Sequence, residues 1–389
     1  MSSHLRPALS AEGLLRTLRG HEGSIWALDF GCAGTVLATG GRDRTIRLWQ
    51  MPHGQPLRTF QAHEDWVSCL AFNARSDVLA SGSEDTTVRL WGVPDGSFLG
   101  TLRGHDRAVR CVAFHPTQDV LASGSDDQHV CLWNRRGGRP MQRENARVGE
   151  VLALAFGRCD AVAPSGAILA GGGKGGGVML WQMDEAGRAE EVQCMGWTSG
   201  PVTSLAFSSD GQLLAAGGEA GLVQIWQARR ADALYVPIRT IQAPAPVWNV
   251  AFTGSGRVLV SGGGDGAIRF WRLRDGAEIR VLKRHVTSAW GLRFSPTGWL
   301  LASSGTGADS EVNLWWVLRE KPLAEATPQD LEWVTQSLWK QAGTATEGEE
   351  WSWQLLEALL RAKFCFDIAL DEPAVISVGE FDIEIESVG

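Results

Sequence analysis

One segment recurs seven times along the chain and ends each time in tryptophan, as in LATGGRDRTIRLW, LASGSEDTTVRLW and LASGSDDQHVCLW. An apolar stretch ending in phenylalanine precedes that tryptophan by 19 residues in five copies, by 25 in copy four and by 21 in copy seven. Two markers that stay in register indicate seven structural repeats of roughly 40 residues. The repeat tryptophans are Trp49, Trp91, Trp133, Trp181, Trp226, Trp271 and Trp315, and the first three are 42 residues apart.

Each copy has the pattern of four short strands. Copy two divides into WVSCLAF, VLASGS, TVRLW and SFLGTL, with Gly, Asp and Ser between them, which is typical of strands joined by tight turns. A unit of this size cannot bury both of its faces alone, so we expect the copies to stack into a closed ring. The stretch LLRTL, residues 14 to 18, precedes Gly20-His21 as GTLR precedes Gly104-His105. We therefore predict that it is the outer strand of the last blade, whose other strands come from residues ~286 to 316, because this closure removes an exposed sheet edge.

A histidine, a serine or threonine, an aspartate and the final tryptophan recur at fixed offsets in the first three copies. The indole N–H is only a donor and the carboxylate only an acceptor, while imidazole and hydroxyl groups link donors to acceptors. These residue types predict one buried hydrogen-bonded tetrad per copy, which is stable when every member is satisfied. The predicted tetrads are His21, Thr39, Asp43, Trp49; His63, Ser81, Asp85, Trp91; and His105, Ser123, Asp127, Trp133.

With its Gly-His signature and terminal tryptophan, the repeat resembles that of the WD40 proteins. The resemblance covers residues 14–317 and implies an all-β, seven-bladed WD40 β-propeller closed by the N-terminal strand. The aspartate that follows the tryptophan in this family is absent from all seven copies. Copies four to six also lack the histidine, so we expect packing rather than a tetrad to hold those blades. Either they are structural blades whose sequence has diverged, or the loss of the tetrad allows them to bind a ligand. Their histidine positions hold Arg147, Thr198 and Ala243, and their aspartate positions hold Gly175, Ala220 and Asp265.

The glycine-rich stretch GGGKGGG, residues 171 to 177, invites comparison with a phosphate-binding loop. That loop requires Gly-Lys-Ser/Thr with a glycine five residues before the Gly-Lys pair. Here Gly175 follows Lys174, and Ile168 occupies the place of the first glycine. The stretch is therefore interpreted as the fourth copy of the repeat.

The segments outside the propeller differ from it in composition. Residues 1–13 are expected to form a flexible segment. Residues 318–389 are predicted to form a small α+β C-terminal extension of two helices and a strand pair, the strands being FCFDIAL and GEFDIEIE. This extension holds 5 basic and 15 acidic residues, whereas the whole chain has a net charge of −8. It either packs on the propeller or docks to another chain.

Composition excludes several classes of protein. No apolar run is long enough for a membrane span, and the first residues lack the apolar core of a signal peptide. The seven cysteines are scattered without a CxxC pair, which favours reduced thiols and a cytoplasmic location. A near-neutral propeller with an acidic extension is not expected to bind nucleic acid directly. No residue pattern indicates a catalytic site, a metal site or a cofactor.

The resemblance implies a platform that binds one or more proteins. The leading hypothesis is a non-catalytic scaffold or sensor, a subunit of a bacterial signalling or defence complex. The alternative is an enzyme or a small-ligand-binding propeller that uses the central channel. Register with the family places aromatic and charged residues on the narrow face, and tryptophan and arginine dominate interface energetics. The predicted partner-binding residues there are Trp26, Arg42, Trp66, Glu84, Arg110, Asp126, Trp248 and Trp290, and Phe381, Ile383 and Ile385 form a second predicted site in the extension, suited to strand addition.

Overall fold

The computed structural model describes residues 14–134, 138–159, 167–197, 199–230, 234–298, 300–307, 309–317, 374–378 and 381–385. These ranges contain seven four-stranded antiparallel sheets and one separate two-stranded hairpin. The expected all-β, seven-bladed propeller is therefore confirmed. In each blade the four strands lie side by side in chain order, except in the blade that joins the two ends of the ring.

The strands alternate with short turns throughout, and one 3-10 helix (Cys32–Gly34) joins the first two strands of blade 1. The chain enters the ring with β1 (Leu14–Leu18). Blades 1 to 3 consist of β2 (Ile25–Gly31), β3 (Val36–Gly41), β4 (Thr45–Gln50), β5 (Gln55–Gln61); β6 (Val67–Phe72), β7 (Val78–Ser83), β8 (Val88–Gly92), β9 (Phe98–Leu102); and β10 (Val109–Phe114), β11 (Val120–Ser125), β12 (His129–Asn134), β13 (Gln142–Asn145).

The later blades repeat the same plan. Blades 4 to 6 consist of β14 (Val151–Gly157), β15 (Ile168–Gly173), β16 (Val178–Met183), β17 (Ala189–Met195); β18 (Val202–Phe207), β19 (Leu213–Gly218), β20 (Leu222–Arg229), β21 (Leu234–Gln242); and β22 (Val247–Phe252), β23 (Val258–Gly263), β24 (Ala267–Arg272), β25 (Glu278–Lys283). Blade 7 consists of β26 (Ala289–Phe294), β27 (Leu300–Gly305), β28 (Val312–Trp316) and the N-terminal β1.

Pairing of β1 with β28 closes the ring, as predicted. The register is antiparallel and joins Leu18 to Val312 and Thr17 to Asn313. The Thr17 hydroxyl donates a hydrogen bond to Asn313 Oδ1 at 2.7 Å. Strands from the two ends of the propeller therefore share one sheet, and β1 covers the outer edge of β28.

The core lies between blades. Each of the seven apolar clusters joins side chains of two neighbouring blades, and the first strands contact one another around the central axis. All residues of β7 are buried, because this strand is covered by the blade on each side. A Cβ on Gly82 would lie 2.7 Å from Cγ1 of Val109 in the next blade, so only glycine allows the blades to approach this closely.

The described part of the C-terminal extension is a β-hairpin. β29 (Ala374–Val378) pairs in antiparallel register with β30 (Phe381–Ile385), so the second predicted strand is present. Its partner is AVISV, and the other predicted strand, FCFDIAL, lies outside the described residues. Both predicted helices and the segment 1–13 lie outside the described residues. In the part of the chain that is described, no helix has the length and apolar character of a membrane span.

Candidate binding site at the channel mouth

Hydrogen-bonded tetrads anchor the loops of blades 1 to 3 that lead to the channel. In blade 1, His21 Nδ1 lies 2.8 Å from Asp43 Oδ2, His21 Nε2 lies 2.8 Å from Thr39 Oγ1, and the Trp49 indole donates to Thr39 Oγ1 at 2.9 Å. Because the carboxylate can only accept, Nδ1 carries the proton; in the neutral ring Nε2 then accepts from the hydroxyl. The corresponding contacts in blades 2 and 3 measure 2.7 to 2.9 Å.

The tetrad aspartates are held in the charged form. Burial raises the pKa of Asp43, but the hydrogen bond and charge of His21 and the amides of Glu22 and Thr45 outweigh burial and hold that pKa well below its ordinary value. The same balance of burial against a histidine partner lowers the pKa values of Asp85 and Asp127. Each of these carboxylates therefore stabilises the fold when it is ionised.

This balance predicts acid sensitivity. A carboxyl group whose pKa is lower in the folded protein stabilises the fold above its unfolded pKa of about 3.9, and that stabilisation is lost as the pH falls further. We expect the free energy of unfolding, measured by urea titration, to fall steeply below about pH 4. The control is Asp127→Asn, which should be less stable at neutral pH. Below about pH 4 its free energy of unfolding should fall less steeply than that of the parent, by up to about 1.4 kcal/mol per pH unit. An unchanged slope in that variant would contradict this origin of acid sensitivity.

Blade 7 contains a fourth tetrad that the sequence reasoning missed. His285 Nδ1 lies 2.7 Å from Asp309 Oδ2, His285 Nε2 lies 2.8 Å from Ser303 Oγ, and the Trp315 indole donates to Ser303 Oγ at 2.8 Å. The interval of 18 residues from histidine to serine matches that in blades 1 to 3, and it is the signal that could have revealed this tetrad. Two extra residues before Trp315 obscured the rest of the pattern.

Blades 4 and 5 lack a tetrad, as expected, and are held by packing. In blade 4, Gly171 occupies the hydroxyl position, and the buried indole nitrogen of Trp181 has no hydrogen-bond partner among the described residues. In blade 5, Trp197 packs against the core, with its ring centroid 6.3 Å from that of Trp226.

Blade 6 corrects the expectation that packing alone holds it. Asp265 binds Arg269 through two hydrogen bonds of 3.0 and 2.5 Å, and the Trp271 indole donates to Ser261 Oγ at 2.8 Å. Arginine can pair with a carboxylate through two donors at once. Arg269, four residues after the aspartate, therefore takes the place of the missing histidine as the partner of Asp265.

Every inner strand carries a β-bulge where it enters the channel. The register of β2 with β3 shifts between Ile25 and Ala27, and equivalent shifts occur in the other six blades. A bulge leaves one residue unpaired and re-aims its side chain, and here all seven residues line one cavity. They are Trp26, Ser68, Arg110, Leu152, Thr203, Trp248 and Trp290. Sequence reasoning missed Ser68, Leu152 and Thr203, although they share the register of the others.

The cavity at the channel mouth has a volume of about 490 Å³ and an aromatic half formed by blades 6, 7, 1 and 2. The rings of Trp248 and Trp290 are stacked, with centroids 4.9 Å apart and planes at 28°. Trp66, which is 37% exposed, packs against Trp26 with the same centroid distance. Arg42 lies outside the lining, and its guanidinium carbon is 5.4 Å from the centroid of Trp66.

Blades 3 to 5 form a charged half of the mouth. Arg110 Nη2 lies 2.6 Å from Asp126 Oδ2, and Arg110 also binds Glu84. The hydrogen bond to Asp126 is the largest of the causes that raise the pKa of Arg110. Lys174 Nζ lies 3.0 Å from Glu150 Oε2, so the lysine of the glycine-rich stretch is paired on this face. The structure thus brings Trp26, Trp66, Glu84, Arg110, Asp126, Trp248 and Trp290 into one lining.

A further ion pair joins the first strands of blades 1 and 7. Arg293 Nε lies 3.7 Å from Asp29 Oδ1, where the other five blades carry alanine at the equivalent position. Burial raises the pKa of Asp29 despite the charge of Arg293. Burial also raises the pKa of Cys69 to about 12, so this thiol in the cavity wall is a poor nucleophile at neutral pH.

The remaining predicted residues lie in the hairpin. Phe381, Ile383 and Ile385 occupy alternate positions of β30, opposite Val378, Ile376 and Ala374. Among the described residues, no strand pairs with the other edge of β30. Within the same residues, no group of three or more His, Cys, Asp or Glu side chains is arranged to hold a metal ion.

The ring of repeats, the tetrads and the channel mouth define a WD-repeat β-propeller. A family model described as "WD domain, G-beta repeat" matches residues 12–50 and 54–92. The model described as "IFT122 first beta-propeller" matches residues 83–346, more than half of the chain, and the protein belongs to that family.

Local similarity extends to three fungal proteins named eukaryotic translation initiation factor 3 subunit I. The protein from Phaeosphaeria nodorum is 46% identical over 41 residues, which are 10% of this chain and 12% of that protein. Those from Neurospora crassa and Pyricularia oryzae are 46% and 44% identical over 43 residues, 11% of this chain and 12% and 13% of theirs. The chain thus spans about an eighth of the length of these curated relatives.

Proposed function

We propose that this protein is a non-catalytic interaction scaffold, a subunit of a multi-protein complex whose partner binds the channel mouth. The observation that carries this proposal is the aromatic half of the mouth, where four tryptophans from consecutive blades face one cavity. Aromatic side chains in a preformed depression are typical anchors of protein interfaces. The relatives named as subunits of an initiation factor support membership of a complex, over a small part of the chain.

The hairpin supplies a second contact in this proposal. Strand β30 alternates apolar and acidic residues. One of its edges pairs with β29, and among the described residues no strand pairs with the other edge. An open strand edge can add a strand of a partner through main-chain hydrogen bonds. Two separate sites would let the protein hold two partners together, and we extend the proposal to a cytoplasmic bacterial signalling or defence complex on the basis of composition.

Two sets of substitutions test the two-site scaffold. Replacing Trp26, Trp248 and Trp290 by Ala should remove one partner, and replacing Ile383 and Ile385 by Asp should remove a different one. Pull-down from the native host followed by mass spectrometry measures both losses, and the circular dichroism of the ring should remain that of the parent. The control is Leu99→Ala, since this side chain is 52% exposed on the outer strand β9 and does not line the channel mouth. Retention of every partner by both sets would refute the scaffold.

The second candidate function is the binding of a small ligand, or an enzyme activity, in the central channel. A cavity of about 490 Å³ favours it, because ligand pockets have volumes of roughly 300–1,000 Å³. Hydrolysis assays and ligand-induced shifts in melting temperature discriminate this candidate from the scaffold. Turnover that is lost on Asp29→Asn and retained on Trp290→Ala would favour the enzyme.

A further inference from the structure

The tetrad tryptophans and the channel-mouth tryptophans differ in the hydrogen bonding of their indole N–H groups. Those of the tetrads donate their indole N–H to a serine or threonine at 2.7 to 2.9 Å, as Trp49 and Trp133 do. At the channel mouth, the indole N–H groups of Trp26, Trp66, Trp248 and Trp290 have no acceptor among the described residues. The mouth therefore presents four indole rings whose N–H groups can donate to a ligand.

Small residues at the mouth leave space beside the indole N–H groups. Gly264 occupies the turn position where blades 2 and 3 carry Glu84 and Asp126, and a Cβ on Gly264 would lie only 3.2 Å from Trp248 Nε1. Absence of a side chain there leaves the indole nitrogen accessible. In blade 2 the bulge residue is the small Ser68, whose buried hydroxyl also lacks a partner within the described ranges. The unpaired Ser68 hydroxyl is unusual for a surface that has no ligand, because buried polar groups are normally satisfied.

We propose, on the basis of the proposed function, that the channel mouth binds a proline-rich segment of its partner in the polyproline II conformation. Such a segment forms no internal hydrogen bonds, so its carbonyl groups need external donors, and indole N–H groups can supply them. Its proline rings present flat apolar faces that pack on aromatic side chains. The segment is already extended before it binds, so little conformational entropy is lost.

The arrangement of charges gives the segment a direction. Arg110 and Lys174 are each paired with a carboxylate of the lining, and Arg293 is paired with Asp29. Glu219 remains without an ion-pair partner among the described residues. Glu219 precedes the blade of Trp248, whereas Arg42 lies over Trp66 at the opposite end of the aromatic arc. A basic residue in the bound segment therefore belongs at the Glu219 end and is repelled from the Arg42 end.

A bare cationic ligand fits this geometry less well. A cation is held best when several aromatic faces surround one space. Trp248 and Trp290 are instead stacked on each other, and a guanidinium of the protein itself already lies over Trp66. The four tryptophans belong to consecutive blades 6, 7, 1 and 2 around the mouth, and such a succession suits an extended chain.

The test is a peptide library in which prolines are fixed in two consecutive Pro-x-x-Pro steps and the other positions vary. We expect the purified chain to enrich peptides with a lysine or arginine at one end, measured by sequencing the bound peptides and by fluorescence titration of one synthetic example. Replacing the fixed prolines by alanine should abolish enrichment. Glu219→Gln should remove the preference for a basic residue, while Leu99→Ala should change nothing.

Variants that keep the aromatic ring but remove the donor sharpen the test. Trp26→Phe, Trp248→Phe and Trp290→Phe should each weaken the synthetic peptide by about three- to tenfold, the usual value of one hydrogen bond. Equal binding of the alanine library, or preference for a trimethyl-lysine peptide, would overturn the proposal. If native partners are lost from the Trp→Ala variants but no proline library binds, the scaffold stands and only the ligand class fails. If no native partner depends on the tryptophans, both fail.

Discussion

Deletion of residues 1–19 should remove most of the soluble yield of this protein. The deletion removes β1, and with it the outer strand of blade 7 and its pairing with β28. Leu18 is 3% exposed and belongs to the cluster that joins blades 7 and 1, so its burial alone contributes about 1.5–3 kcal/mol. Whole domains have only about 5–15 kcal/mol of stability, and the loss of an entire strand removes a large part of it.

The newly exposed edge makes the effect larger. An uncovered strand edge is a template for pairing between chains, so the truncated protein should aggregate as well as melt at a lower temperature. The matched control is deletion of residues 1–13, which retains β1 and should behave like the parent. Differential scanning fluorimetry and the soluble fraction after expression measure both variants. A protein without residues 1–19 that melts like the parent would show that this strand does not close the ring.

Replacement of His285 by Ala should destabilise the protein by about 1–3 kcal/mol, the usual cost of leaving a buried polar group without its hydrogen-bond partner. The change leaves Asp309 without its partner at 2.7 Å and removes the imidazole from Ser303. Burial alone raises the pKa of Asp309, and it is the hydrogen bond and charge of His285, with backbone amides, that bring the net pKa below its ordinary value. The free energy of unfolding in urea measures the loss.

A matched pair of tryptophan substitutions isolates the hydrogen bond from the packing. Trp315→Phe and Trp181→Phe delete the same atoms from fully buried rings in equivalent positions of blades 7 and 4. The Trp315 indole donates to Ser303, whereas the Trp181 indole has no partner among the described residues. We expect Trp315→Phe to cost about 1 kcal/mol more than Trp181→Phe. An equal cost would mean that the blade 7 tetrad contributes packing alone.

Much of the fold could be predicted because each blade contacts only its neighbours. The fixed interval between a Phe and a Trp, such as Phe72 and Trp91, reflects two strands of the same blade. The interval recurs because each repeat of the sequence forms the same strands of a blade. The closing strand was predictable for the same reason, since LLRTL stands where an outer strand stands in the other copies. Where two residues were inserted before Trp315, the interval changed and Asp309 could not be recognised as a tetrad member.

The candidate site was predictable only in part. Trp26, Arg110, Trp248 and Trp290 share one register position, and that position is a bulge that faces the cavity. Three more residues have the same register but are small or aliphatic, and their types carry no signal of an interface. The partial replacement of a tetrad by Arg269 was also hidden, because its pairing with Asp265 depends on side-chain conformation.

By itself, the sequence determined the number of blades, the strand order within each blade, the closure of the ring and the residues that hold blades 1 to 3 together. These properties depend on residue spacing and on local hydrogen-bonding chemistry, which a linear sequence records directly. The tertiary structure alone decided which tryptophans meet, which charges of the mouth are paired and which indole donors remain unused. Those properties arise between residues of different blades, such as Trp248 and Trp290 or Arg110 and Glu84, whose distances depend on the curvature of the whole ring.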